Sequence, residues 1–374
     1  MSASESTAQS ATTTAPKTGI LSAGARIASM DQLRGYAIFG MILVNYLGHF
    51  DFMPDILHHH RDKASYADTI APLFMFVVGM GFRLSLQRRI EKKGLGAARW
   101  EALKRYFTLF IVGIAIYGPN MRIDWWDALV DIALAGMLAL PFIDKKVSTR
   151  VVTAFIYLGI FTLFFHYTGP GSHFTYDGQT YAGYGDWLRH KSMNGGPLGP
   201  ISQAFILLFG TIAYDLLQSR DTRKILTWSA VCGVGLCVAS WIAYKLTPVD
   251  YAPYAEYGKW WSYSHRWAIA PSQLLHTGLA FVAFLFFYVS CDLMNFKFPT
   301  LTIVGENPLV IYILQYALMG LNGSYFFSEE FEKIKPEAAT LGDYAWATFG
   351  FCVCYWFCWA VANRLHKQGY IIKL

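Results

Sequence analysis

The chain has 374 residues, 54% hydrophobic, 17% aromatic and only 15% charged, with a formal net charge of +6. That balance excludes an ordinary soluble domain, which carries about 25% charged residues, and describes an all-α polytopic membrane protein with the lipid bilayer as its solvent. The positive charge gathers in short segments between apolar runs instead of forming a basic face, so no nucleic-acid partner is expected.

Residues 1–25, rich in Ser, Thr and Ala, lack an apolar stretch long enough for a signal peptide. They are expected to form a disordered cytoplasmic tail. Residues 26–374 then form one membrane domain. Apolar runs approaching the ~17–25 residues that span a bilayer fall at 34–50, 67–86, 104–119, 127–143, 151–167, 201–217, 226–245, 272–291, 300–321 and 343–363. The expectation is about ten transmembrane helices in one bundle, with both termini on one side. Lys and Arg crowd the segments on that side, including Arg88, Arg89, Lys92, Lys93 and Arg105. The positive-inside rule makes that side cytoplasmic, and a bacterial inner (plasma) membrane suits the pattern.

The first span opens on MDQLRG, with Asp31 and Arg34 at its entry, and carries Asn45 eleven residues beyond Arg34. At ~1.5 Å per residue the two lie roughly 16 Å apart along one axis, so a single helix presents polar groups at two depths. The following loop carries His58, His59 and His60, and Asp68 opens the second span. An imidazole titrating near ~6.5 can take a proton from an amine or hydroxyl at neutral pH. Three consecutive side chains point in different directions, which argues against a shared metal site, and no metal is expected.

Charged groups inside a bilayer cost at least ~2.5 kcal/mol each and face a bundle interior or a watery cavity. Asp68, Asp131, Glu306 and the neutral Asn45, Asn307 and His276 are the candidates here. Asp68 and Arg34 have complementary signs but lie toward opposite faces. Pro308, after Gly305 and Asn307, removes a backbone donor and should break the ninth span. The basic run RRIEKKG from Arg88 to Gly94 reads first as a topology signal and only second as a phosphate site. The loop YAPYAEYGKWWSYSHRW offers aromatic faces to a sugar ring or to the bilayer interface, and TYDGQTYAGYGDW is a lid or a polar surface loop.

MDQLRGYAIFGMILVNY, ADTIAPLFMFVVGMGFRLSL and IVGENPLVIYIL resemble the heparan-alpha-glucosaminide N-acetyltransferase family of transmembrane acyltransferases. Asp31, Arg34 and Gly35 match that family's D-x-x-R-G opening, and Asn45 its closing Asn. Ala67, Asp68, Pro72, Phe74, Phe76 and Gly79 match the second helix, and Gly305, Asn307 and Pro308 the Gly-x-Asn-Pro near the carboxyl end. Counting back from Asp68 places His58 on the family's catalytic histidine. Relatives usually follow that residue with Trp and Gly where this chain has HHHRDKAS, so His59 and His60 stay open for the role. Val130 and Asp131 stand where relatives often have Gln-Arg.

The resemblance implies an enzyme that moves an acetyl group from cytoplasmic acetyl-CoA to an amine or hydroxyl of a glycan or amino sugar on the outer side. His58 is implied as general base or transient acetyl carrier, Asn45 as oxyanion donor or orienter, and Asp68 as the group that holds the imidazole tautomer or simply anchors the helix start. Asp31, Arg34 and Asn307 are implied at the donor site. Partners are acetyl-CoA and a saccharide acceptor, and a homo-oligomer stays open. The rival class is a transporter or flippase of a glycan or small solute, which would be expected to show paired broken helices in two related halves.

Overall fold

The computed structural model describes residues 27–118, 126–167, 173–176, 178–191, 194–247, 258–325 and 328–370. The tail expected at 1–25 lies outside the described residues, as does the aromatic run at 251–257. Among the described residues the fold is all-α apart from one hairpin. Its long helices are α1 (Ala28–Leu47), α2 (Ala67–Lys93), α3 (Leu95–Tyr117), α5 (Val147–Tyr167), α7 (Gly199–Gln218), α8 (Thr222–Leu246), α9 (Ala270–Phe287), α11 (Pro308–Tyr325) and α13 (Leu341–Lys367). Shorter pieces are α4 (Ala128–Ala139), the hairpin β1 (His173–Tyr176) and β2 (Gln179–Ala182), α6 (Tyr184–Lys191), α10 (Pro299–Glu306) and α12 (Glu329–Glu332).

Every apolar segment expected from the sequence falls on a helix, but ten full crossings are not reached on length and apolarity. Among the described residues six helices are long and apolar enough to cross a membrane, and α10 with α11 makes a seventh if counted as one broken span. α4 has only 12 residues. α1 and α3 dilute their apolar stretches with polar entries, MDQLRG and RWEALKR.

α7 is the hub: 83% of its apolar window is buried, against 28% for α5, α8 and α13, whose outer stripes of Val, Ile, Phe and Trp remain for lipid. A helix apolar all round belongs in such an interior. α2 packs along α7 and also contacts α1, α3, α4 and α9, so the residues it carries look into the middle of the bundle.

The two ends of the bundle differ chemically. At the basic end Asp215 receives Arg83 Nε at 2.8 Å and the Arg150 guanidinium, and Arg99 meets Asp144 at 2.6 Å. At the histidine end two loops and the start of α13 knit together. Ser264 Oγ donates to His60 O at 2.5 Å, Trp267 Nε1 donates to Arg61 O at 2.8 Å, and Tyr344 OH donates to Phe52 O at 2.9 Å. Trp261 and Trp267 are fully buried under this layer, so these two rings of the aromatic loop are core rather than a sugar platform. Tyr181, Tyr184 and Trp187 of the segment read as a lid or surface loop are likewise buried, against Phe161 and Phe165 of α5.

Candidate functional site

The basic end of the site is built where two sequence motifs cross. A Cβ on Gly35 would fall 1.9 Å from Leu301 O, and one on Gly305 2.6 Å from Asp31 O. Only glycines let the D-x-x-R-G turn of α1 touch α10 this closely. Arg34 Nη1 then donates to Gly305 O at 3.1 Å and stands 3.7 Å from Asp31 Oδ1. The chain breaks next to this contact: α10 and α11 meet at 92°, with Asn307 non-helical between them (φ −124°, ψ 58°) and Pro308 at the first position of α11, where a missing N–H costs nothing. Asn307 is fully buried and its Nδ2 donates to Tyr370 O at 3.1 Å, while His366 Nδ1 meets Glu306 Oε2 at 2.8 Å. Asp31, Arg34 and Asn307 are thus brought together, as supports of one corner.

That corner opens onto a cavity of about 520 Å³. Its mouth carries Arg34, Arg88, Arg89, Lys92 and Arg105, with Glu306 as its one acidic group. Its shaft is apolar, with Phe74, Val77, Val78, Leu109, Leu129 and Ile132, and Tyr312 lines it too. Along α2 it extends from Lys92 to Phe74, about 27 Å at the helical rise, most of the ~30 Å hydrocarbon depth of a bilayer. The run that reads most simply as a topology signal therefore also forms the rim of a deep shaft.

Phe74 lies six residues from Asp68, so the shaft ends about 9 Å of helix rise below the histidine end. There the three histidines separate. His58 is held between two carbonyls, Nδ1 3.1 Å from Gly48 O and Nε2 3.0 Å from Met53 O. Each ring nitrogen is covered by a backbone carbonyl, so neither is presented to a substrate. His60 Nε2 faces Asp55, 2.9 Å from its carbonyl and 3.1 Å from its Oδ1. His59 Nδ1 lies 2.9 Å from Asp68 Oδ1, with the imidazole 37% exposed and the carboxylate 1%.

Local sequence explains the Asp68 geometry. Ser65 N donates to Asp68 Oδ2 at 3.1 Å and Ser65 Oγ at 3.3 Å, while Asp68 N donates to Ser65 Oγ at 3.4 Å. This reciprocal cap fixes the carboxylate in the first turn of α2, where the helix dipole favours negative charge. Asn45 sits in the last turn of α1, half-buried, three residues before the Gly48 that holds His58; its carboxamide makes no hydrogen bond among the described residues.

Two further groups surround the dyad. Behind Asp68 lie His265 and His276, both buried, with ring centroids 5.7 Å apart. His265, in the loop before α9, is pushed down to about 3, by burial first and by the neighbouring His276 second. In front lies Asp127, within electrostatic reach of His59 and of Arg266. Its Oδ1 caps α4 through Ala128 N at 2.7 Å, and its Oδ2 accepts from Tyr316 OH at 3.1 Å. Asp131, one turn further, is buried and accepts from Gln203 Nε2 at 2.9 Å, so its carboxyl group is held inside the bundle. Tyr117, Tyr312, Tyr316, Asp127 and Arg266 were not legible as site residues. The one available signal was the i, i+4 spacing of Tyr312 and Tyr316, which places both on one helix face.

The family described as Heparan-alpha-glucosaminide N-acetyltransferase, catalytic, matches residues 26–270. Among curated relatives, an uncharacterized 39.9 kDa protein in the amylase 3' region of Bacillus acidopullulyticus is 32% identical over 147 residues, 37% of this chain and 40% of that protein. The uncharacterized protein YxaH of Bacillus subtilis (strain 168) is 30% identical over 154 residues, 34% of this chain and 35% of that one. The human heparan-alpha-glucosaminide N-acetyltransferase is 36% identical over 102 residues, 25% of this chain and 14% of the human protein. The chain thus spans well under half the length of each of these relatives.

Proposed function

Because the chain belongs to the heparan-alpha-glucosaminide N-acetyltransferase catalytic family, we propose that it is a membrane acetyltransferase that draws acetyl-CoA into the shaft from the basic end and passes the acetyl group to a saccharide amine or hydroxyl at the histidine end. The observation that carries this reading is the shaft itself. Five cationic side chains at the mouth suit the phosphates of CoA, and the apolar walls beyond suit its pantetheine arm. The donor's reactive end then points toward Phe74 and Tyr312, one short step from the His59–Asp68 dyad.

A thioester is already activated, so the protein need only orient the two partners, take a proton and stabilise a tetrahedral oxyanion. His59 is the base in this scheme, the role the resemblance gave to His58. Asp68 holds its Nδ1 proton and leaves Nε2 free for the acceptor. His58, locked to Gly48 and Met53, shapes the loop that presents its neighbour. Asn45 is the oxyanion donor. Asp31, Arg34 and Asn307 act on the donor through the cavity corner they hold together. Both Ser29 and His366 belong to the basic end, which suits an even number of crossings with both described ends on the cytoplasmic side of a plasma membrane.

The test is binding and turnover by the detergent-solubilised protein. Acetyl-CoA should bind in a calorimetric titration, thiol should be released when glucosamine is added, and Leu109→Trp, which fills the shaft, should abolish binding. Equal binding to the plugged variant, or none to the native protein, would overturn the reading. The broken pair α10–α11 is a feature shared with transporters, but one such pair among the described residues falls short of the two-half architecture they use.

A further inference from the structure

A row of tyrosine hydroxyls joins the donor shaft to the acidic group in front of His59. Leu129 N donates to Tyr117 OH at 3.2 Å, Tyr117 OH and Tyr312 OH are 2.6 Å apart, Tyr312 OH donates to Tyr316 OH at 3.3 Å, and Tyr316 OH donates to Asp127 Oδ2 at 3.1 Å. Tyr312 lines the shaft, and Asp127 lies within reach of the charges on His59 and Arg266. Because Tyr117 already accepts from a backbone amide, its own proton turns to Tyr312, and every hydroxyl in the row rests pointed at the carboxylate. Neutral hydroxyls hydrogen-bonded in an unbroken row from a cavity wall to a carboxylate have a use beyond packing: each oxygen can accept one proton while giving up another.

We propose that Tyr316 and Tyr312 relay the proton taken from the acceptor through Asp127 to the leaving thiolate of CoA; this rests on the acetyl-transfer reading above. As the acceptor heteroatom bonds to the acetyl carbon and the carbon–sulfur bond breaks, the acceptor proton passes to His59 Nε2. His59 discharges it to Asp127. A protonated Asp127 donates where it formerly accepted, so the hydroxyls reverse: Tyr316 turns to Tyr312, and Tyr312 turns into the shaft and protonates the sulfur. One proton leaves the acceptor, one arrives on CoA, and each phenol ends as it began.

The experiment measures turnover at saturating acetyl-CoA in H2O–D2O mixtures. In the native enzyme the rate should fall along a curve with rising deuterium fraction, because several protons move together. Tyr316→Phe keeps the ring and removes the oxygen that bridges the row. It should lower kcat on the order of 100-fold, straighten the curve and leave the KM for acetyl-CoA unchanged. Asp127→Asn, which can still cap α4 through its carbonyl, is the second variant and should do the same if Tyr316→Phe does not fold. A straight line in the native enzyme, or a Tyr316→Phe enzyme that keeps both rate and curvature, overturns the relay alone. Absence of any transfer by the native protein overturns the acetyl-transfer reading, and the relay with it.

Discussion

His59 and Asp68 form a hydrogen-bonded dyad across a helix start, Nδ1 to Oδ1 at 2.9 Å, with the carboxylate buried and the far edge of the imidazole open. The buried partner fixes the tautomer, so the open nitrogen is the one able to accept a proton. His59→Ala should therefore lower kcat on the order of 10²- to 10⁴-fold. Asp68→Asn should cost a comparable amount, and the double variant little more than either alone, because the two act as one unit. His58→Ala should instead lower the melting temperature in detergent, since it releases the Gly48 and Met53 carbonyls from one ring. Steady-state thiol release alongside thermal unfolding checks all four variants. Greater catalytic damage from His58→Ala than from His59→Ala would return the base to His58.

Arg105 stands at the cavity mouth with Arg88 and Lys92. If it contacts a phosphate of the donor, Arg105→Gln removes a charge-assisted bond and should raise the KM for acetyl-CoA roughly tenfold with kcat nearly unchanged. Added salt should raise the native KM and affect the variant less, because screening acts on the same charge. A fall in kcat at constant KM would place Arg105 outside donor binding.

Gly35→Ala should be among the most damaging single-methyl changes in the chain. The added carbon lands on a backbone carbonyl, Leu301 O, which has no rotamer by which to move away. Overpacking of this kind costs about 1–3 kcal/mol, and separating α1 from α10 also shifts Arg34 away from Gly305 O. Thermal unfolding and acetyl-CoA affinity should fall together, whereas Gly96→Ala, with nothing near its added carbon, should change neither.

Buried His265 gives the fold an acid limit. Its ordinary value of 6.5 is depressed to about 3 in the folded chain, so below 6.5 the unfolded state binds the extra proton and the folded state does not. Its contribution to stability is complete above 6.5 and is lost as pH falls toward 3, amounting to about 2 kcal/mol by pH 5. His276, Asp68, His59 and Arg266 are the charged or titratable neighbours that act on it. His265→Gln, which cannot titrate, should flatten the acid limb of a melting-temperature profile between pH 7 and pH 5. An unchanged slope would assign the acid limb to other groups.

Alternation of apolar runs with short basic segments was enough to read an all-α membrane protein from residues alone, because lipid forces every spanning segment to satisfy its own backbone hydrogen bonds as helix. Pro308 announced the broken span, and the D-x-x-R-G and Gly-x-Asn-Pro motifs announced the family. Three things needed the folded chain. The meeting of Gly35 with Leu301, close to the 92° bend, joins residues some 270 positions apart, and no local pattern encodes that crossing. The different surroundings of His58, His59 and His60 were closed to sequence because neighbouring imidazoles are chemically identical until the folded loop brings carbonyls and a carboxylate from five to ten residues away onto their nitrogens. The row from Tyr117 to Asp127 draws on three stretches of chain, and a hydrogen bond between tyrosines is a matter of distance, which only packing decides.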